Sequence, residues 1–236
     1  MSADARPRFT RYAVYVVPEG PFYTSGARWL GWDSVTARVV AQVAHPNVAD
    51  ISAPIANLTA KPRKYGFHAT IKAPFALAQG IDATALSDAL NTLCGGIAPV
   101  QVAQIVVRYI NGFIAIVPHV TCPALNAMAA TVVTGLDRFR APLSQADLAR
   151  RRRGGLTTAQ NALLVRWGYP YVLDEFHFHM TLTGKVKPDV TETVHTALNR
   201  YFSPILPQPF VINSLCLMGE TADGRFHMLH RYALRG

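Results

Sequence analysis

The sequence predicts an α+β fold built as a duplication, with two pseudo-symmetric lobes whose antiparallel sheets line a central cleft and whose helices lie outside. Three observations carry this expectation. The five-residue phrase FHATI at 67–71 returns as FHMTL at 178–182. Each copy is followed by the same succession of a helix, a strand, a turn and a strand. The turn glycines, Gly112 in Asn111-Gly112 and Gly224 in Asp223-Gly224, keep the spacing of His68 and His179 to within one residue. Two copies of one unit make a twofold duplication and not a solenoid.

The elements follow in order. RYAVYVV (11–17) reads as a strand stopped by Pro18 and Gly20. ARWLGWDSVTARVVAQV is amphipathic, with Asp33 or Ser34 placed to cap a helix that follows. GFHATIKAPF (66–75) alternates as a strand does, and DATALSDALNTLCGG is a helix closed by Gly95 and Gly96. VQVAQIVVRYI turns through Asn111-Gly112 into FIAIVP, a hairpin signal. Three helical stretches come next: CPALNAMAATVVTGLDRF, then SQADLARRRR with Ser144 and Asp147 in capping-box spacing, then TTAQNALLVRWG ending at Gly168. FHFHMTLTGKV is a strand, TETVHTALNRYF a helix, and PFVINSLCLMG and RFHMLHRYAL are the last two strands. The chain 1–236 therefore reads as one bilobal domain. Its first lobe lies at about 60–120, inserted helices at about 121–168 and its second lobe at about 169–236.

Composition narrows the class. Half of the 236 residues are hydrophobic and only 16% are charged, which is a folded chain with ample core. No apolar run reaches the roughly 20 residues of a membrane span, and MSADARPRFT has no apolar signal core, so a cytoplasmic protein is expected. The three cysteines (Cys94, Cys122 and Cys216) are unpaired by number and spacing, which argues against a disulfide framework or zinc-thiolate site. A net charge of +9 favours anionic partners such as phosphates, nucleotides or nucleic acid. Part of it is local, in Arg150–Arg153. That run is either a solvated helix end before Gly154-Gly155 or a basic rim over an anionic substrate.

His-x-Thr alone is weak, and a third copy shows why. His119-Val120-Thr121 lies between Pro118 and Pro123, where Thr121 suits a helix cap and no strand carries it. The other two sit inside strands. Alternation puts His68, Thr70 and Lys72 on one face opposite Phe67, Ala69 and Ile71. It likewise puts His177, His179, Thr181 and Thr183 opposite Phe178, Met180 and Leu182. Each strand thus has one greasy face and one polar face, a costly surface to bury without partners. Two polar faces at symmetric places look like two walls of one cleft.

These paired strands resemble the 2H phosphoesterase superfamily, which includes bacterial RNA 2′,3′-cyclic phosphodiesterases and eukaryotic cyclic nucleotide phosphodiesterases. The phrases RYAVYVVP, WLGWD, KYGFHATIKAPF, RWGYPYV and FHFHMTLTG resemble a bacterial branch commonly encoded beside phosphonate-degradation genes. The resemblance implies a cyclic phosphodiesterase acting on a small sugar cyclic phosphate such as 5-phosphoribosyl 1,2-cyclic phosphate. RNA ends, hydrolysed or ligated, are the alternative partner, and a noncatalytic RNA-binding module a further one. Two imidazoles across a cleft suit the chemistry, one as base for water and the other as acid for the leaving alkoxide. Thr70, Thr181 and Lys72 are expected to hold the phosphate oxygens. The scheme uses no cofactor and no metal. His177-x-His179 raises a zinc alternative, which needs a third ligand. His177, Tyr169, Tyr171 and Tyr12 are candidates to touch substrate; Tyr15 and Tyr65 are equally core or wall.

Overall fold

A computed structural model describes residues 8–51 and 53–236. Strand β1 (Arg11–Val16) leads into helix α1 (Gly20–Leu30), which has Pro21 in its first turn and ends at left-handed Gly31. A helix was expected after Asp33. Instead a tight hairpin of β2 (Trp32–Asp33) and β3 (Arg38–Val39) forms there. Asp33 Oδ1 accepts from the amides of Val35 and Thr36 and so holds a turn, competing with the helix it was expected to cap. After a short helix α2 (Ile55–Leu58) come β4 (Ala69–Phe75) and α3 (Ala83–Gly95), the latter capped by Asp82. Then follow β5 (Val100–Val102), β6 (Ile105–Ile110) and β7 (Phe113–Pro118). Helices α4 (Pro123–Gly135), α5 (Gln145–Arg152) and α6 (Thr158–Trp167) fall in the segment, about 121–168, that the sequence predicts to be inserted. Strand β8 (Met180–Thr181), helix α7 (Thr191–Phe202), and strands β9 (Phe210–Ile212), β10 (Ser214–Glu220) and β11 (Phe226–Ala233) complete the chain.

The fold is α+β. One seven-stranded antiparallel sheet runs β11-β10-β1-β4-β8-β7-β6, and β5 pairs with β9 in a separate ribbon. Each long strand expected at 100–110 and 209–219 is therefore broken in two. The two phrase-bearing strands are neighbours, joined at Ala69↔Met180, and these are the same position in the two copies of the phrase. The hairpin β6-β7, which follows the first phrase in sequence, lies beside the strand of the second. Pro74 is tolerated in β4 because β8 bonds only as far as Ala69.

Helices cover the apolar face. Phe67 meets Phe22 of α1 edge-on at 5.2 Å and Phe202 of α7 at 6.1 Å. Gly26 makes the approach of α1 possible, because a Cβ there would lie 2.2 Å from the Phe67 ring. Trp29 of the same helix donates through Nε1 to the Leu182 carbonyl at 2.7 Å, tying α1 to the second phrase. No helix among the described residues is long and apolar enough to cross a membrane.

Candidate active site

The register builds the site. Continuing the Ala69↔Met180 pairing by one residue each way sets His68 beside Thr181 and Thr70 beside His179. Directly opposed residues of an antiparallel pair share a face, so two imidazoles and two hydroxyls gather in one patch. Each histidine therefore neighbours the threonine of the other phrase. The rings are held alike. His68 Nδ1 lies 2.9 Å from the carbonyl of Gly66, and His179 Nδ1 2.7 Å from that of His177, in each case two residues upstream. A carbonyl only accepts, so Nδ1 carries the proton and Nε2 of the neutral ring presents its lone pair. Thr70 Oγ1 stands 3.1 Å from Nε2 of His68. Gly66 has φ 74° and ψ −179°, a region open essentially to glycine alone, and this turns its carbonyl toward the ring.

Both imidazoles are held neutral. Burial pushes His68 down to about 4, against the pull of the Gly66 carbonyl, and a charge on His179 would lower it further. Burial also lowers His179, the His177 carbonyl opposing this and the neighbouring His177 ring adding to it. Fully buried Tyr15, the partner of Thr70 in the sheet, stacks on His68 with ring centroids 3.7 Å apart. Tyr65 lies at 6.2 Å on another side of the same ring, and Phe113 sits 5.8 Å from His179.

Not every expected residue joins this patch. Lys72 does not. The β1-β4 register slips by one between Val14 and Tyr15, so Thr70 shares a face with Tyr15 whereas Lys72 shares one with Val14. Its buried ammonium donates to the Val133 carbonyl at 3.0 Å and pairs with Asp137 at 3.6 Å, under α4. Burial lowers its pKa to about 8, with Asp137 opposing the shift. Lys72→Met should therefore cost stability, on the order of 1–3 kcal/mol for the Val133 carbonyl left without its donor, while Asp137 keeps Arg140 and any turnover by the folded protein is unchanged. Chemical denaturation alongside steady-state kinetics checks both. Tyr12 alternates away from Tyr15 and packs against the core. His177 is exposed and serves His179 through its carbonyl. Tyr171 is 44% exposed, while Tyr169 is partly buried beneath the Arg151 guanidinium at 5.5 Å. Thr183 is buried and accepts from the Ile114 amide.

A cavity of about 680 Å³, whose lining includes Arg11, Tyr65, Pro142, Asp147, Arg150 and Arg151, reaches the surroundings of His68 through Tyr65. That size suits a small ligand. Tyr65 belongs to both, since it walls the cavity and touches the surroundings of His68. The sequence signal for the basic wall was the arginine run. Nothing in it singled out Arg11, which forks onto Glu220 with Nη2 2.7 Å from Oε1. Among the described residues no three His, Cys, Asp or Glu side chains cluster as a metal site requires.

Fold and patch together define an α+β protein with two histidines and two threonines gathered on one face of an antiparallel sheet. The chain belongs to the DUF1045 family, described as proteins of unknown function, whose family model matches residues 70–227. It is 36% identical over 221 residues to the ribose 1,5-bisphosphate phosphokinase PhnN of Janthinobacterium sp. (strain Marseille), covering 91% of this chain and 48% of that protein. It is 34% identical over 224 residues to the protein of the same name from Laribacter hongkongensis (strain HLHK9), covering 94% of this chain and 51% of the relative. The chain thus spans about half the length of the curated relatives it matches. Among solved structures it is similar to E. coli LigT complexed with 3′-AMP, with a TM-score of 0.48 and 15% identity over 97% of this chain and 99% of that one. It is also similar to a protein described as a phosphoesterase, with a TM-score of 0.44 and 15% identity over 97% and 100% of the two chains.

Proposed function

We propose that this chain is a cyclic phosphodiesterase that needs no metal, with His68 and His179 as the general base and acid. The observation that carries the reading is the register that sets each histidine beside the other phrase's threonine, with both Nε2 atoms unprotonated and both Nδ1 atoms tied to carbonyls. The two phrases then lie side by side on one face of the sheet and are related by a pseudo-twofold axis. The pairing of β5 with β9, again corresponding strands of the two copies, supports that symmetry.

His68 is the base. Its proton affinity is strongly lowered by burial, so its lone pair is available at neutral pH. Water gives its proton to His68 Nε2 while its oxygen bonds to phosphorus. The phosphorus–oxygen bond on the far side breaks, and the leaving alkoxide takes a proton from His179 Nε2. The substrate's anionic phosphate raises the proton affinity of a ring beside it, which lets His179 arrive charged. Thr70 and Thr181 donate to the non-bridging oxygens as their charge grows. Each proton-transfer role typically contributes ~10²–10⁴ in rate.

The substrate we favour is a sugar cyclic phosphate of the 5-phosphoribosyl 1,2-cyclic phosphate type, within phosphonate metabolism. The relatives named for ribose 1,5-bisphosphate support a phosphorylated ribose, since this chain aligns with half of such proteins. The kinase activity in their name is not assigned to this half, which lacks a G-x-x-x-x-G-K-[ST] phosphate loop. The test is to incubate the purified protein, with and without EDTA, with sugar cyclic phosphates and RNA 2′,3′-cyclic ends, following products by phosphorus NMR. Ring opening of the sugar cyclic phosphate, undiminished by EDTA, is expected. Turnover of RNA ends alone would overturn the substrate, and loss on chelation with recovery on adding zinc would overturn the mechanism.

A further inference from the structure

The four arginines of the insertion point to different tasks. Arg150 is spent on Asp147, one turn back on α5, at 2.6 Å. Arg152 donates to Asn161 of α6 at 2.8 Å, and Arg153 is the exposed cap of the helix. Arg150 and Arg151 both line the cavity, but Arg151 is left without an ion-pair or hydrogen-bond partner among the described residues. Its guanidinium lies over Tyr169, and its Nε is buried with no hydrogen-bond partner. Among the described residues no carboxylate stands within ion-pair distance of it. The other two arginines of the cavity wall are already paired, Arg150 with Asp147 and Arg11 with Glu220. Arg151 is therefore the cation of this cavity whose charge and donors are unclaimed. A buried guanidinium donor without a partner is costly and is rarely left so.

We infer that Arg151 binds a second, non-reacting phosphate monoester of the substrate, with Tyr169 beneath its guanidinium and Tyr65 between it and His68. The planar fork suits a phosphate's paired oxygens better than a point charge does. Tyr169 fixes the fork by stacking. Tyr65 lines the cavity and lies beside the His68 ring, so one sugar can span from the reacting phosphodiester to the cation. This assignment rests on the two-histidine reading for the reacting end and names the residue that recognises the other end. It also gives the insertion a role, that of selecting cyclic phosphates that carry an additional phosphate.

Two measurements test it. With a pair of sugar cyclic phosphates, one bearing the additional monoester and one lacking it, Arg151→Gln should raise KM for the first by about 10- to 100-fold, the usual loss for a charge-assisted hydrogen bond. It should leave kcat, and both constants for the second substrate, nearly unchanged. Arg151→Lys should recover part of the loss. Equal damage with both substrates would overturn the assignment, because it would mean that Arg151 supports the fold or the reacting end. The second measurement needs no turnover: calorimetric titration with ribose 5-phosphate. Binding should weaken by a similar factor in Arg151→Gln and persist in a His68→Ala/His179→Ala protein. Binding indifferent to Arg151 would sink the subsite even if cyclic phosphates are hydrolysed. Binding that depends on Arg151 without any hydrolysis would keep the subsite and discard the two-histidine reaction.

Discussion

His68→Ala and His179→Ala should each lower turnover of the cyclic phosphate by ~10²–10⁴, the range a positioned acid or base contributes, while His119→Ala leaves it nearly intact. The control is informative because His119 has the same His-x-Thr spelling but sits at a strand end, where Arg108 bonds its carbonyl. The two severe variants should differ from each other. A phosphodiester with a p-nitrophenolate leaving group needs little protonation, so His179→Ala should lose far less on it than on a cyclic alkoxide substrate. His68→Ala should lose equally on both. The reverse pattern would exchange the two roles, and equal losses at all three histidines would mean a folding effect. Stability against pH supplies a further check. His68 takes its proton at about 4 in the folded chain against 6.5 for an ordinary histidine. Between those values the unfolded chain binds more protons, so the wild-type protein loses stability as pH falls through this window. Denaturation midpoints of His68→Ala should fall less steeply across it.

The repeated phrase made the centre of the site legible, because a period of two along a strand fixes which side chains travel together. His68 with Thr70 and His179 with Thr181 needed only that period. Lys72 shows where the period fails. A single register slip after Thr70 carries the next polar residue to the buried face, and no residue in TIKAPF announces the slip. Tyr12 misled for a related reason. Tyr12 and Tyr15 lie on opposite faces of β1, and sequence order does not say that β4, with Thr70, pairs beside Tyr15. The same ignorance of long-range pairing hid the exchange by which the hairpin of the first unit supports the strand of the second. Asp33 was read as a cap because its side chain satisfies amides one turn ahead. It does so, but in a hairpin turn. Arg151 could be seen only as one of four, since what separates it from its neighbours is a carboxylate, an amide and a tyrosine that come from elsewhere in the fold or a turn away.

The threonines carry the other large expected effect. Thr70→Val and Thr181→Val keep the shape of the side chain and remove only the hydroxyl, so each should lower kcat by the ~10²–10³ typical of losing one donor to a developing oxyanion. Thr→Ser at either site should keep most of the rate. The cost belongs in kcat because phosphate charge is greatest in the transition state, and a donor aimed at it binds the ground state less strongly. The two positions are alike by register but not by contact. Thr70 Oγ1 also stands 3.1 Å from the Nε2 of His68 and its strand partner is Tyr15, whereas Thr181 pairs across to Ala115. Thr70→Val thus removes a phosphate donor together with a group that orients the base, and it should be the more damaging of the two. It should also shift the pH dependence of kcat/KM, which reports the free enzyme's base, while Thr181→Val leaves that profile in place. Circular dichroism and thermal midpoints close to wild type would confine the loss to chemistry. A loss below about threefold at both positions would remove the threonines from the phosphate site, and with them the reason for two His-x-Thr phrases in place of two histidines alone.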